Sequence, residues 1–259
     1  MTQRVAIVTG GSSGIGQALS LALAAAGYCV IVVGTTAARV NDTHARLAPV
    51  AGGHLGLVLD VTREADITVM IEHTLARYGR VDLLLVSAGV GKTPGSSRLL
   101  PHSSAELPLE EWRHVIDVNL TGAFLCTRAV LPVMMRQNSG HVLLIGSSTT
   151  PHGLRGRAYA PAYCASKFGL VGFAEAVAAE VADHGIRVQA VFPGPVDTPL
   201  VKQTALAKPF GGSLDGAQFA VAVMYHVTQQ PSDAMAIHPH ILPCALKPRA
   251  SGDVNVPCL

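Results

Sequence analysis

The apolar positions of this chain fall into short β-branched runs separated by longer stretches of helical periodicity. Val5–Val8, Val30–Val33, Leu55–Leu59, Val81–Val86, His141–Ile145 and Arg187–Phe192 are rich in Val, Ile and Leu, as strands buried on both faces are. The stretches between them predict helices from a glycine-rich turn to about Ala26 and over Ala37–Leu47, Thr62–Tyr78, Glu110–Arg136 and Tyr163–Asp183. A further helix is expected at Leu214–Gln229, and a seventh, edge strand near Met235–Ile241. Gly27, Gly79 and Gly185 mark helix ends, and Pro132 is expected to bend or interrupt the Glu110 helix.

Strands alternating with helices predict an α/β fold, a doubly wound, mostly parallel seven-stranded sheet with helices on both faces. Right-handed crossovers bring all the strand C-termini to one edge. Gly10, Asp60, Ala88, Ser148 and Pro193 therefore converge on one crevice. The 259 residues read as a single domain, 1–259. Segments 90–109 and 200–230 lie on the substrate side, and an irregular tail covers 243–259.

Composition narrows the function. Only 14% of residues are charged against 49% hydrophobic, which suits a buried parallel sheet and some surface given to subunit contacts. A net charge of +2 without a basic block gives nucleic-acid binding no electrostatic support. The first strand begins at Val5, leaving no room for a signal peptide, and no apolar run reaches the ~18 residues that span a bilayer. No membrane partner and a cytoplasmic location are expected. The five cysteines, Cys29, Cys126, Cys164, Cys244 and Cys258, are scattered and read as free thiols in a reducing compartment. His238-Pro239-His240 has no carboxylate or cysteine at ligand spacing, so no metal is expected.

The candidate chemistry sits at the strand ends. Thr9-Gly10-Gly11-Ser12-Ser13-Gly14-Ile15-Gly16 joins a strand to a helix, the context in which a backbone turn and a helix N-terminus hold a pyrophosphate. The second strand ends in Gly34-Thr35-Thr36, where an acid would read an unphosphorylated ribose; its absence, with Arg39 close by, leans toward NADP over NAD. Asp60 either faces the ligand or caps a helix. Ser87-Ala88-Gly89 either admits a cofactor or forms a plain turn. Asn119 lies inside a helix, where asparagine has little reason to be unless its side chain is bonded. Tyr163 and Lys167 share a helix face, and an ammonium there lowers the phenol toward working pH. Taken alone they read better as an ordinary partly exposed pair.

In this order and at these intervals, Thr9–Gly16, Asp60-Val61, Asn119, Ser148, Tyr163-xxx-Lys167 and Pro193-Gly194 resemble the short-chain dehydrogenase/reductase family over roughly residues 4–245. The resemblance implies a Rossmann-type domain and a hydride transfer between nicotinamide and a small-molecule carbonyl or secondary alcohol. It implies Tyr163 as general acid/base, Lys167 lowering its pKa and bonding the nicotinamide ribose, Ser148 polarising the substrate oxygen, and Asn119 holding a relay water. Gly10, Ser12, Ser13, Gly14, Ile15 and Gly16 would hold the phosphates. Gly34, Thr35 and Thr36 would meet the ribose, and Asp60 and Val61 the adenine. Ser87, Ala88 and Gly89 would line the cofactor, with Pro193, Gly194, Val196 and Thr198 at the carboxamide end.

This chain departs from the family pattern in places. Val86-Ser87 stands where the family has two asparagines, the Ser148–Tyr163 interval is about two residues long, and Tyr159 is a decoy with no lysine four residues on. NADP(H) is favoured and NAD(H) possible. A homodimer or homotetramer is expected from the Ala/Val/Leu-rich helices Glu110–Arg136 and Ala162–Asp183. The competing functions are a non-catalytic dinucleotide-binding regulator and an NAD-preferring polyol or hydroxysteroid dehydrogenase.

Overall fold

A computed structural model describes residues 3–91, 102–147, 160–202, 213–229 and 238–242. The strands are β1 Val5–Thr9, β2 Cys29–Gly34, β3 Leu55–Val58, β4 Leu83–Val86, β5 Gly140–Ile145, β6 Ile186–Pro193 and β7 His240–Ile241. They form one seven-stranded sheet in the order β3-β2-β1-β4-β5-β6-β7, and every neighbouring pair is parallel. The expected edge strand is confirmed at His240–Ile241; its expected beginning, residues 235–237, lies outside the described residues.

Alternation along each strand sends side chains to two cores. Val5, Ile7, Ile31, Val33, Leu84, Val86, Val142 and Leu144 pack on one face, against α3 (Glu64–Tyr78), α5 (Gly122–Gln137) and α6 (Pro161–Glu180). Ala6, Val8, Val30, Val32, Leu83, Leu85, Leu143 and Ile145 pack on the other, against α1 (Gly14–Ala25), α2 (Ala37–Ala45) and α8 (Gly216–Thr228). Each fully buried Val, Leu or Ile contributes about 1.5–3 kcal/mol. This two-sided burial is why the strands read as continuous apolar runs. Two short helices, α4 (Leu109–Ile116) and α7 (Pro199–Lys202), complete the set.

The chain winds outward from β1 to β3, then crosses back to β4 and winds the other way. That reversal opens a crevice at the C-terminal ends of β1 and β4, where open α/β sheets bind ligands.

The helix expected over Glu110–Arg136 runs from Leu109 to Gln137. It continues unbroken through Pro132, so the interruption expected there does not occur. The departure from α geometry lies upstream, in a π-helical turn over Asp117–Thr121 where the Gly122 N–H bonds the Asp117 carbonyl five residues back. Such insertions recur at functional sites. Leu109–Gln137 is the one helix among the described residues long and apolar enough to cross a bilayer. It is built into the fold, with Val115, Asn119, Cys126, Val130 and Met134 buried.

Candidate active site

The glycine turn is shaped by space and by backbone. Gly10 has φ +64°, and a Cβ there would stand 2.7 Å from the Ala88 nitrogen, so the turn crosses directly over the end of β4. A Cβ on Gly16 would meet the Gly10 oxygen at 2.2 Å, which lets α1 start tight against β1. Gly14 has φ +51° and lies against Thr198, whose methyl would be 3.2 Å from an added Cβ. Ser13 is the N-cap of α1 but makes no side-chain cap bond, and the first turn carries no acid. The positive end of α1 is thus uncontested, and the turn fits the pyrophosphate of a nicotinamide dinucleotide.

From this turn a cleft of ≈ 830 Å³ runs outward between α1, α2 and α8, with Ser12, Ser13, Arg39 and Arg46 among its walls. Thr35, Thr36 and Arg39 are exposed at the end of β2. Arg46 faces Asp42 at 3.3 Å.

The other predicted contacts are more occupied. Asp60 Oδ1 accepts from both the backbone N–H and the hydroxyl of Thr62, at 2.9 and 2.8 Å, fixing the turn after β3. Val61 is buried under α5, where a Cβ on Gly122 would be 2.8 Å from its Cγ2. The Ser87 N–H donates to the Thr9 carbonyl at 3.1 Å, continuing the β1–β4 pairing. The Gly194 N–H donates to Ile241 O at 2.8 Å, and Val196 pairs with Leu214, so the Pro193–Thr198 segment is tied on both sides.

On α6, which begins with Pro161, Tyr163, Ser166 and Lys167 present one connected face. The Ser166 hydroxyl donates to the Tyr163 carbonyl at 2.7 Å and accepts from Asn119 Nδ2 at 3.0 Å. Asn119, buried in the π turn, grips Val90 with the rest of its amide. Its Oδ1 accepts from the Val90 N–H at 2.7 Å and its Nδ2 donates to the Val90 carbonyl at 2.9 Å. The interior asparagine is thus a clamp that ties the exit of β4 to α6. Gly89 leaves room beside it: an added Cβ would be 3.4 Å from Asn119 Oδ1 and 3.6 Å from Lys167 Nζ.

Lys167 is buried, and its ammonium donates to the Ile145 carbonyl at the end of β5, at 2.7 Å. Burial pushes its pKa down to about 8. Its Nζ lies 5.8 Å from the centre of the Tyr163 ring. Burial also raises the Tyr163 phenol above its ordinary value, and a hydrogen bond with the Ser147 side chain pulls it partway back. The sequence leads one to expect the lysine to set the tyrosine; here desolvation is the larger influence and Ser147 the partner that opposes it.

Ser147 received no role from sequence, which favoured its neighbour. Ser148 and Tyr159 lie outside the described residues, as do the extra residues expected between Arg155 and Pro161. Ser166 and Val90 were also missed, although a buried serine next to Lys167 and one turn from Tyr163 is a polar residue needing a partner. Cys29 and Cys126 are buried free thiols; burial holds Cys126 up at about 12.

The sequence model of the short chain dehydrogenase family matches residues 4–208. A 3-oxoacyl-[acyl-carrier-protein] reductase of Synechocystis sp. is 36% identical over 203 residues, 78% of each chain. The 3-oxoacyl-[acyl-carrier-protein] reductase FabG of Escherichia coli is 35% identical over 222 residues, covering 83% of this chain and 85% of its own. Among solved structures, a levodione reductase superposes with a TM-score of 0.83 at 28% identity, over 93% of this chain and 97% of its own. A 3-ketoacyl-(acyl-carrier-protein) reductase from Brucella melitensis complexed with NADH gives 0.82 at 25%, over 93% and 98%.

Proposed function

The chain belongs to the short-chain dehydrogenases, NAD(P)-dependent oxidoreductases acting on CH–OH and C=O groups, and from that premise we propose an NADP(H)-preferring enzyme with Tyr163 as acid/base. The observation that carries the proposal is that Ser147 bonds the Tyr163 phenol, Asn119 is bonded through Ser166 to the Tyr163 carbonyl, and Lys167 is buried one turn on, beside an uncapped glycine turn.

When bound, the nicotinamide would supply or accept the hydride. Gly10, Gly14 and the start of α1 would hold its pyrophosphate, and Arg39 beside Thr35 would receive a 2′-phosphate. Asp60 and Val61 would flank the adenine, and Thr198 the carboxamide. Tyr163 would give its phenolic proton to a carbonyl oxygen as that oxygen gains charge, or take it from an alcohol. The Ser147 hydroxyl, already bonded to the phenol, would orient the same oxygen; Ser148 remains the second candidate for this task. Lys167 is protonated below about pH 8 and would then place positive charge beside the developing phenolate. Both amide hydrogens of Asn119 are already engaged, so a relay water at this position would need another anchor than its Nδ2.

The relatives' names make 3-oxoacyl thioesters the first substrates to try, beside simple ketones, aldehydes and secondary alcohols. Half-exposed Phe124, in edge contact with Phe173 of α6, suits burial by a second copy. Light scattering should give a dimer or tetramer mass.

The test is a panel read at the reduced-nicotinamide absorbance with NADPH and NADH side by side. Tyr163→Phe is expected to keep cofactor affinity and lose about 10²–10⁴ in turnover. Undiminished turnover would refute the mechanism, and tighter binding of NADH would refute the cofactor preference.

A further inference from the structure

We propose that Ser12 sets the cofactor preference jointly with Gly34, because its side chain fills the volume that any side chain at position 34 would need. The inference rests on the NADP reading above and names a second residue behind it. An ideal Cβ on Gly34 would stand 2.3 Å from Ser12 Oγ, 3.0 Å from Ser12 Cβ and 3.3 Å from Val40 Cγ2. Carbon pairs make their best contact at about 3.5–4.0 Å, so the notch is closed on two sides.

Nothing in the backbone of Gly34 calls for glycine, since its φ lies outside the left-handed region. The exclusion is spatial. It is also held in place from both sides. The Gly11 N–H donates to the Val33 carbonyl at 3.0 Å, tying the glycine turn to the end of β2. The Gly34 carbonyl accepts from the Leu59 N–H at 3.0 Å, tying β2 to the end of β3. Neither segment can draw back without breaking a bond. Rotating the Ser12 side chain would clear its Oγ but leave its Cβ at 3.0 Å.

Position 34 is where an acid would take the hydroxyls of an unphosphorylated ribose. With Ser12 buried in the notch, that acid fits only if the Ser12 side chain rotates and its Cβ gives way as well. What remains around the ribose is hydroxyl and guanidinium from Thr35, Thr36 and Arg39, a setting that suits a phosphate. Preference for the phosphorylated cofactor is then a property of the pair, and changing it takes two substitutions.

The steric half is tested first, without cofactor. Gly34→Ala is expected to lower the melting temperature by about 5 °C, and Ser12→Gly/Gly34→Ala to recover most of that loss. The second half is read by direct titration of NADH and NADPH binding. Gly34→Asp alone should bind both cofactors less tightly than the wild type. Ser12→Gly/Gly34→Asp should bind NADH at least tenfold more tightly than Gly34→Asp and prefer it to NADPH. The proposal is overturned if Gly34→Ala melts with the wild type, or if Gly34→Asp alone binds NADH as well as the double variant. A wild type that prefers NADH would instead refute the NADP reading, and the melting series would still decide the interlock.

Discussion

Lys167 allows a stability test independent of substrate. Its ammonium is buried and held down at about 8 against an ordinary 10.5, with desolvation as the cause. At about 1.36 kcal/mol per pH unit, that gap corresponds to about 3 kcal/mol against the charged form in the folded state. Below pH 8 both folded and unfolded chains carry the proton, and the whole penalty applies. Between pH 8 and 10.5 the unfolded chain keeps a proton that the folded protein has released, so this residue makes stability rise with pH. Lys167→Met removes the charge and keeps a linear buried side chain. It also removes the bond to Ile145 O, worth about 1.5–3 kcal/mol for a charged donor. At pH 7 the relieved penalty and the lost bond nearly offset, and the variant should match the wild type within about 1.5 kcal/mol. By pH 10 the wild type should have gained about 2–3 kcal/mol on the variant. Urea denaturation of both proteins at pH 7, 8.5 and 10 measures the difference, cancelling every other titrating group. A difference that stays constant across that range would refute the buried-ammonium account.

Ser147→Ala removes the bond that lowers the Tyr163 phenol, so that phenol should rise further. The alkaline-rising limb of the alcohol-oxidation pH–rate profile should move to higher pH, with at least a tenfold loss at neutral pH; an unmoved limb would disconnect Ser147 from the chemistry. Asn119→Ala leaves the Val90 N–H and carbonyl without their partner. At about 1–3 kcal/mol for each stranded group, it should cost about 2–6 kcal/mol in chemical denaturation, and a loss under 1 kcal/mol would dissolve the clamp. Gly10→Ala combines φ +64° with a 2.7 Å contact to Ala88 N, and should weaken cofactor binding more than tenfold by titration.

Much of the fold could be read directly because β1, β2, β4 and β5 are buried on both faces, which leaves a signature of unbroken Val, Ile and Leu. The glycine turn was equally legible, since Gly10 and Gly16 answer close approaches that leave no room for a Cβ and Gly14 a left-handed backbone. Pro132 does not interrupt its helix, because a long helix can absorb one missing donor when the rest of its length is packed. Asn119 announced itself as an anomaly, but only the structure shows that its partner is the backbone of Val90, 29 residues earlier in the chain. The resemblance pointed to Ser148, which lies outside the described residues, whereas the described bond to Tyr163 comes from Ser147. Both follow β5, and which hydroxyl meets Tyr163 depends on how the chain turns at Gly146, where a Cβ would strike the Phe192 ring at 2.3 Å.

The grip of Asn119 on Val90 also bears on how such a protein can diversify. Val90 is the point at which the chain leaves the sheet for segment 90–109, and both its backbone polar groups are fastened to the helix layer that carries Tyr163 and Lys167. Residues inserted or exchanged downstream of that anchor start from a fixed origin. Changes made in the segment expected on the substrate side can therefore be tried, by selection or by design, without disturbing the bonds that align Asn119 and Ser166 with Tyr163.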